Sequence, residues 1–139
     1  MGPLRKDTKI ELLRRMPLFS QFSTRELGEV AAAADEVDVR EGKELTREGR
    51  PGREFFVLVE GQADVLRGGR RVFTLGRGDF FGEIALIAKR PRTATVVTTT
   101  PGRVLVVTDR SFQRLMERFP GMQTKVLQTL AERVARDLL

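Results

Sequence analysis

The residues of this chain with the most chemistry in them are a glycine and glutamate in succession, Gly82-Glu83, and an arginine nine positions further on, Arg92. Glu83–Ile87 is a short helix-compatible stretch inside an otherwise β-prone region. The start of such a helix leaves backbone N–H groups unpaired at the positive end of the peptide dipoles, where an anion is welcome. Gly82 lets the anion approach the backbone where a side chain would block it. Arg92 is spaced to return over the same spot, and its planar guanidinium matches two phosphate oxygens through charge-assisted hydrogen bonds. A carboxylate has no use as a ligand for an anion, so Glu83 is read as the acceptor for a sugar hydroxyl. Together the three describe a site for a phosphate fused to a ribose. Each also has a plainer reading: Arg92 as a surface arginine of the basic run Lys89-Arg90-Pro91-Arg92, and Glu83 as a helix-start carboxylate facing the dipole.

Composition narrows the field. The 139 residues include no cysteine, histidine, tryptophan or tyrosine, which removes disulfides, thiolate chemistry, Cys/His zinc sites and histidine-based triads. Asp79, Glu83 and Lys89 remain for acid–base work, but no second catalytic group stands at a fixed distance from them. The chain is therefore expected to be neither an enzyme nor a metalloprotein. Its formal net charge of +6 raises a nucleic-acid reading. The basic residues are interleaved with acids, as in Arg47-Glu48 and Glu117-Arg118, the pattern of a solvated surface, and no direct nucleic-acid contact is expected. No apolar run approaches the roughly 18–20 residues of a membrane span, and the N-terminus lacks a secretory layout. Together with the absence of cysteine, this predicts a cytoplasmic protein with no membrane insertion.

These residues need elements to hold them. Three regions of one domain separate by periodicity. Residues 1–35 carry helices: Ile10, Leu12, Leu13 and Met16 form a stripe that ends before Pro17. Ser23 with Glu26 has the spacing of a capping box ahead of Leu27, Val30, Ala31 and Ala34. Residues 36–108 hold short β-prone runs at Glu36–Arg40, Phe55–Val59, Ala63–Leu66, Arg71–Leu75, Thr95–Thr99 and Val104–Val107, punctuated by glycines. Gly68-Gly69 is a two-residue hairpin loop. Residues 109–139 return to helix: Asp109 is the expected cap of a helix that stops at Pro120-Gly121. A final helix follows with Met122, Val126, Leu127, Leu130, Val134 and Leu138 on one stripe. No helical crossovers separate the strands, so the sheet is antiparallel, and helix, small β-barrel, helix is the order.

The stretch 78–96 resembles the phosphate-binding cassette of cyclic-nucleotide-binding domains, the family of the catabolite activator protein, the regulatory subunits of cAMP-dependent protein kinase and cyclic-nucleotide-gated channels. The matching residues are Phe81-Gly82-Glu83-Ile84-Ala85-Leu86 and Pro91-Arg92-Thr93-Ala94-Thr95. Glu48-Gly49 and Arg53 to Gly61 resemble the family's glycine-bracketed barrel strands, and Leu75 with Gly78 resembles the approach to the cassette. The resemblance implies an antiparallel, jelly-roll-like β-barrel with N-terminal helices, a short phosphate-binding helix and C-terminal lid helices. It implies backbone donation from Gly82, Ala85 and Leu86, a ribose 2′-hydroxyl on Glu83 and the cyclic phosphate on Arg92, with Ile84 and Ala94 inside the cassette. Thr93 would lie near the phosphate or base, and Val96 and Val59 would line the base pocket. Leu130, Arg133 or Val134 would cover the base, Arg133 by stacking its guanidinium on a purine face. The ligand implied is cAMP in preference to cGMP, with Thr93 leaving the base open, and no cofactor. The chain would then be a sensor that moves its C-terminal helices to control an effector domain in the same or a partner chain: a channel, transporter, enzyme or DNA-binding domain. The alternative is the ligand-binding half of a transcription regulator or a basic nucleic-acid-binding protein, although no recognition-helix segment precedes Leu139.

Overall fold

The computed structural model describes residues 5–138, with side chains through Arg136. Helices α1 (Lys6–Arg14) and α2 (Thr24–Ala33) flank a 3₁₀ turn at Pro17–Phe19 and lead into eight strands. These are β1 (Asp35–Val39), β2 (Glu44–Thr46), β3 (Glu54–Glu60), β4 (Ala63–Arg67), β5 (Arg70–Leu75), β6 (Phe80–Phe81), β7 (Thr95–Thr98) and β8 (Gly102–Thr108). The short helix α3 (Glu83–Ala88) interrupts the strands after β6, and α4 (Asp109–Arg118) and α5 (Pro120–Leu138) close the chain. All pairings are antiparallel, and β1 pairs with β8, β2 with β7, β3 with β6 and β4 with β5. That nesting produces two four-stranded sheets, β1-β8-β3-β6 and β2-β7-β4-β5, the arrangement of a jelly roll.

Alternation along β3 and β8 explains why the sequence folds this way. Phe56, Leu58 and Val104 point between the two sheets, where they meet Val39, Ala63, Leu75, Phe81 and Val96. Phe55, Val57, Val59, Leu105 and Val107 point to the opposite face of the first sheet and pack on the helices with Leu13, Leu27, Val30, Phe112 and Met122. A strand buried on both faces reads as an unbroken apolar run, which is how Phe55–Val59 stands in the sequence. Phe112 lies 4.7 Å from Phe55 between ring centroids, tying α4 to β3. The Ser23–Glu26 capping box is complete in both directions, a contribution of about 1 kcal/mol to α2. Gly68 and Gly69 both take positive φ, 58° and 78°, as a two-residue hairpin turn between β4 and β5 requires.

Four expectations change. β2 and β6 are strands of three and two residues that the β-prone runs did not show, too short to carry a period. The cap of α4 is Thr108, whose hydroxyl accepts from the Ser111 N–H, and Asp109 is the first helical residue. Pro120 opens α5 instead of merely ending α4, since a missing N–H costs nothing at a helix start. The α5 stripe divides: Met122 and Val126 are buried, while Leu127 and Val134 are 50% and 44% exposed. The side chain of Leu138 lies outside the described residues.

Candidate functional site

The expected site residues converge on one pocket between α3, the inner face of the second sheet and the distal half of α5. It is lined by Gly82, Glu83, Ile84, Ala85, Arg92, Thr93, Ala94, Val96 and Arg133, together with Thr46, Phe81 and a wall from β4 and β5 that the sequence reading did not include.

Gly82 is the N-cap of α3, in the left-handed region at φ 94° and with no side chain capping the helix start. A Cβ there would stand 2.8 Å from the Glu54 carbonyl oxygen and 2.9 Å from an Arg92 nitrogen, so both backbone shape and packing call for glycine. The opening N–H groups of Gly82, Glu83, Ile84 and Ala85 have no partner inside the helix. Leu86 departs from expectation. It stands at the position where the helical ladder begins, and its side chain turns into the core against the helices. Val59 also leaves the site, because the alternation of β3 sends it to that same core.

Arg92 is buried, 7% exposed, which rules out the surface reading. Its Nη1 donates to the Gly82 carbonyl (3.1 Å) and its Nη2 to the Glu54 carbonyl (2.8 Å). The guanidinium lies 5.7 Å from the Phe56 ring centroid. Its backbone is held as well: the Arg92 N–H donates to Arg50 O (2.8 Å), and the Gly49 N–H donates to Arg92 O (2.9 Å). Gly52 provides the room, for a Cβ at that position would sit 2.5 Å from Arg92 Nε. Burial pulls the Arg92 pKa below the usual arginine value, opposed by the charges of Glu54 and Glu83; an arginine so placed remains a cation.

Glu83 is 1% exposed. One carboxylate oxygen, Oε1, is bonded by Nη1 of Arg133, so the lid arginine reaches the pocket at the carboxylate instead of at a base. Arg133 also donates to the Phe80 carbonyl at 2.5 Å and lies 5.1 Å from the Phe80 ring centroid. The other oxygen, Oε2, is buried with no hydrogen-bond partner among the described residues. An unpaired buried acceptor carries a penalty of about 1–3 kcal/mol or more, and a ligand hydroxyl donating to it removes that penalty. The charged residues lining the pocket are Glu83 and four arginines, Arg67, Arg92, Arg133 and Arg136, a balance suited to an anion.

The β4–β5 wall supplies Val65, Val72, Phe73 and Leu75. Period-2 alternation in β4 points Ala63 and Val65 inward, a signal legible in the sequence once the hairpin is fixed. Arg136 also escaped the sequence reading although it lies one helical turn beyond Arg133, and its guanidinium sits 4.4 Å from the Phe73 ring centroid. Among the other lid candidates, Leu130 is half-buried and Val134 exposed, and neither lines the pocket.

The family model described as cyclic nucleotide-binding domain matches residues 36–119. The cAMP-dependent protein kinase regulatory subunit of Hypocrea atroviridis is 32% identical over 110 residues, 79% of this chain and 24% of that protein. The cGMP-dependent protein kinase of Toxoplasma gondii is 34% identical over 105 residues, 76% of this chain and 11% of that protein. The regulatory domain of Toxoplasma gondii PKA, solved with cAMP, superimposes with a TM-score of 0.81 at 28% identity, covering 92% of this chain and 50% of that one. The chain spans about a quarter of the length of the curated regulatory subunits it matches.

Proposed function

The chain belongs to the cyclic nucleotide-binding domain family, and from that premise we propose that it binds a purine nucleoside 3′,5′-cyclic phosphate, cAMP in preference to cGMP, as a sensor that passes its state on through α5. The observation that carries this reading is Glu83 Oε2, a buried acceptor without a donor among the described residues, beside the open start of α3 and the Arg92 guanidinium. The N–H groups of Gly82 to Ala85 and Arg92 take the cyclic phosphate, and the ribose 2′-hydroxyl donates to Oε2. Arg92 already points its nitrogens at the Gly82 and Glu54 carbonyls, so little ordering is needed on binding. The chain's similarity to regulatory subunits of cAMP-dependent protein kinase supports reading the domain as a regulatory module and not a catalyst.

The effector is a channel, transporter, enzyme or DNA-binding domain in the same or a partner chain, working in the cytoplasm. α5 is the element that connects site to output, because Arg133 and Arg136 reach the pocket from it. A ligand shifts such a helix only through differential affinity for its two positions.

Calorimetry with cAMP and cGMP tests the proposal. Binding of either with a rise in melting temperature at saturating ligand is the expected result, cAMP binding the more tightly. A ligand that binds only the folded state must stabilise it, so no heat and no stabilisation at millimolar ligand would refute the reading.

A further inference from the structure

The basic run Lys89-Arg90-Pro91-Arg92 sends one member into the pocket, Arg92, and leaves three outside it. Lys89, Arg90 and Pro91 are exposed, and so is Thr93 beside them. The run joins α3 to β7 without helix or strand. Arg90 stands three residues before Thr93, the spacing by which arginine-directed serine/threonine kinases select an acceptor through acidic subsites.

The neighbouring threonine hydroxyls are already engaged. Thr46, which shares the pocket lining, is buried and donates to the Ala94 carbonyl at 3.0 Å. Thr95 accepts from the Glu48 N–H at 3.0 Å, and Thr98 donates to the Arg40 carbonyl at 2.6 Å. Thr93 also lines the pocket, but its hydroxyl makes no hydrogen bond among the described residues. It is a free hydroxyl at the mouth of a site suited to an anion. Thr8, Thr74 and Thr95 follow an arginine by three residues as well. Thr8 and Thr74 lie inside α1 and β5, which fix the main chain, and the arginine before Thr95 is the buried Arg92.

Resting on the ligand assignment above, we propose that Thr93 is a phosphorylation site for an arginine-directed kinase, and that its phosphate closes the pocket to cyclic nucleotide. The kinase's aspartate takes the proton of Thr93 Oγ1 as that oxygen attacks the γ-phosphorus of ATP. The new O–P bond forms while the bond to the bridging oxygen breaks, and MgADP leaves. The product carries a charge of about −1.5 to −2 and three acceptor oxygens. A cyclic phosphate is itself an anion, so the two repel within one pocket. By linkage the exclusion runs both ways.

Protein treated with MgATP and an arginine-directed kinase that does not respond to cAMP should gain a phosphate, located on Thr93 by mass spectrometry. Arg90→Ala should remove most of that incorporation and leave cAMP affinity unchanged, while saturating cAMP should slow it in the unsubstituted protein. The phosphorylated protein should bind cAMP at least about 10-fold more weakly in calorimetry. Without any kinase, Thr93→Glu should bind cAMP roughly 5-fold more weakly than Thr93→Gln. No phosphate on Thr93, incorporation that survives Arg90→Ala, undiminished binding after phosphorylation, or equal affinities of the Glu and Gln variants overturns the proposal and leaves the ligand assignment standing. Failure of the unmodified protein to bind cAMP overturns the ligand assignment, and the switch with it.

Discussion

The two ends of the pocket are built to opposite rules. At the end proposed for the phosphate and ribose, Glu83 and Arg92 are buried, and Arg92 is held by two side-chain and two backbone hydrogen bonds. At the end proposed for the base, Val72, Thr93 and Arg136 are exposed, and Phe73 is half-buried. The first end is set before any ligand arrives, so its hydrogen bonds carry little ordering cost. The second end is open to solvent, with fewer contacts to fix its side chains. In the proposed binding mode, recognition of what all cyclic nucleotides share is separated in space from recognition of what distinguishes them.

Substitutions should divide along the same line. The largest effect belongs to Arg92→Ala. Hydrogen bonds to charged groups contribute about 1.5–3 kcal/mol each, so losing two lowers affinity about 100-fold or more; calorimetry should show this for cAMP and cGMP alike, with the β-rich circular dichroism spectrum retained. Glu83→Ala comes next, with a loss of roughly 10-fold or more for cAMP. That variant should no longer distinguish cAMP from its 2′-deoxy form, and an undiminished preference for the 2′-hydroxyl would remove Glu83 from the ribose. Gly52→Ala touches no ligand directly, yet its Cβ falls 2.5 Å from Arg92 Nε. Displacing the guanidinium should weaken both nucleotides by about 10-fold, a cost within the range for strain against a packed side chain. Smallest is Thr93→Ala at the open end: a change of roughly 3-fold in the cAMP-to-cGMP affinity ratio, the scale of one neutral hydrogen bond, with total affinity little altered. Effects of equal size at both ends would erase the distinction.

The rigid end was the legible one. Gly82, Glu83 and Arg92 lie within eleven positions, and the residue types themselves name the chemistry. The strongly apolar run Phe55–Val59 and the Gly68-Gly69 turn likewise place β3 and the β4–β5 hairpin by local rules. What stayed hidden depends on contacts between distant segments. Gly52 reads as one more turn glycine until Arg92, forty positions later, is seen to occupy the space its missing side chain leaves. Arg133 looks like a partner for a base because its guanidinium is flat, but the fold brings it to Glu83. Val59 belongs to a residue type that suits a ligand wall and a core equally, and only the direction of β3 decides, while the role of the Leu86 N–H depends on where the ladder of α3 begins. β6 could not be read at all: two phenylalanines, Phe80 and Phe81, carry no period, yet they send one ring to each core.

That division of neighbouring side chains between cores, most extensive in β3, has a thermodynamic side. Because one strand forms part of both the sheet-to-sheet core and the sheet-to-helix core, neither has a surface along which it can melt while the other stays intact. The domain should unfold as a single cooperative unit, with calorimetric and van't Hoff enthalpies in agreement. A nucleotide held against the second sheet would then raise the melting of α1 and α2, on the far side of β3, by the same increment as that of the strands it touches.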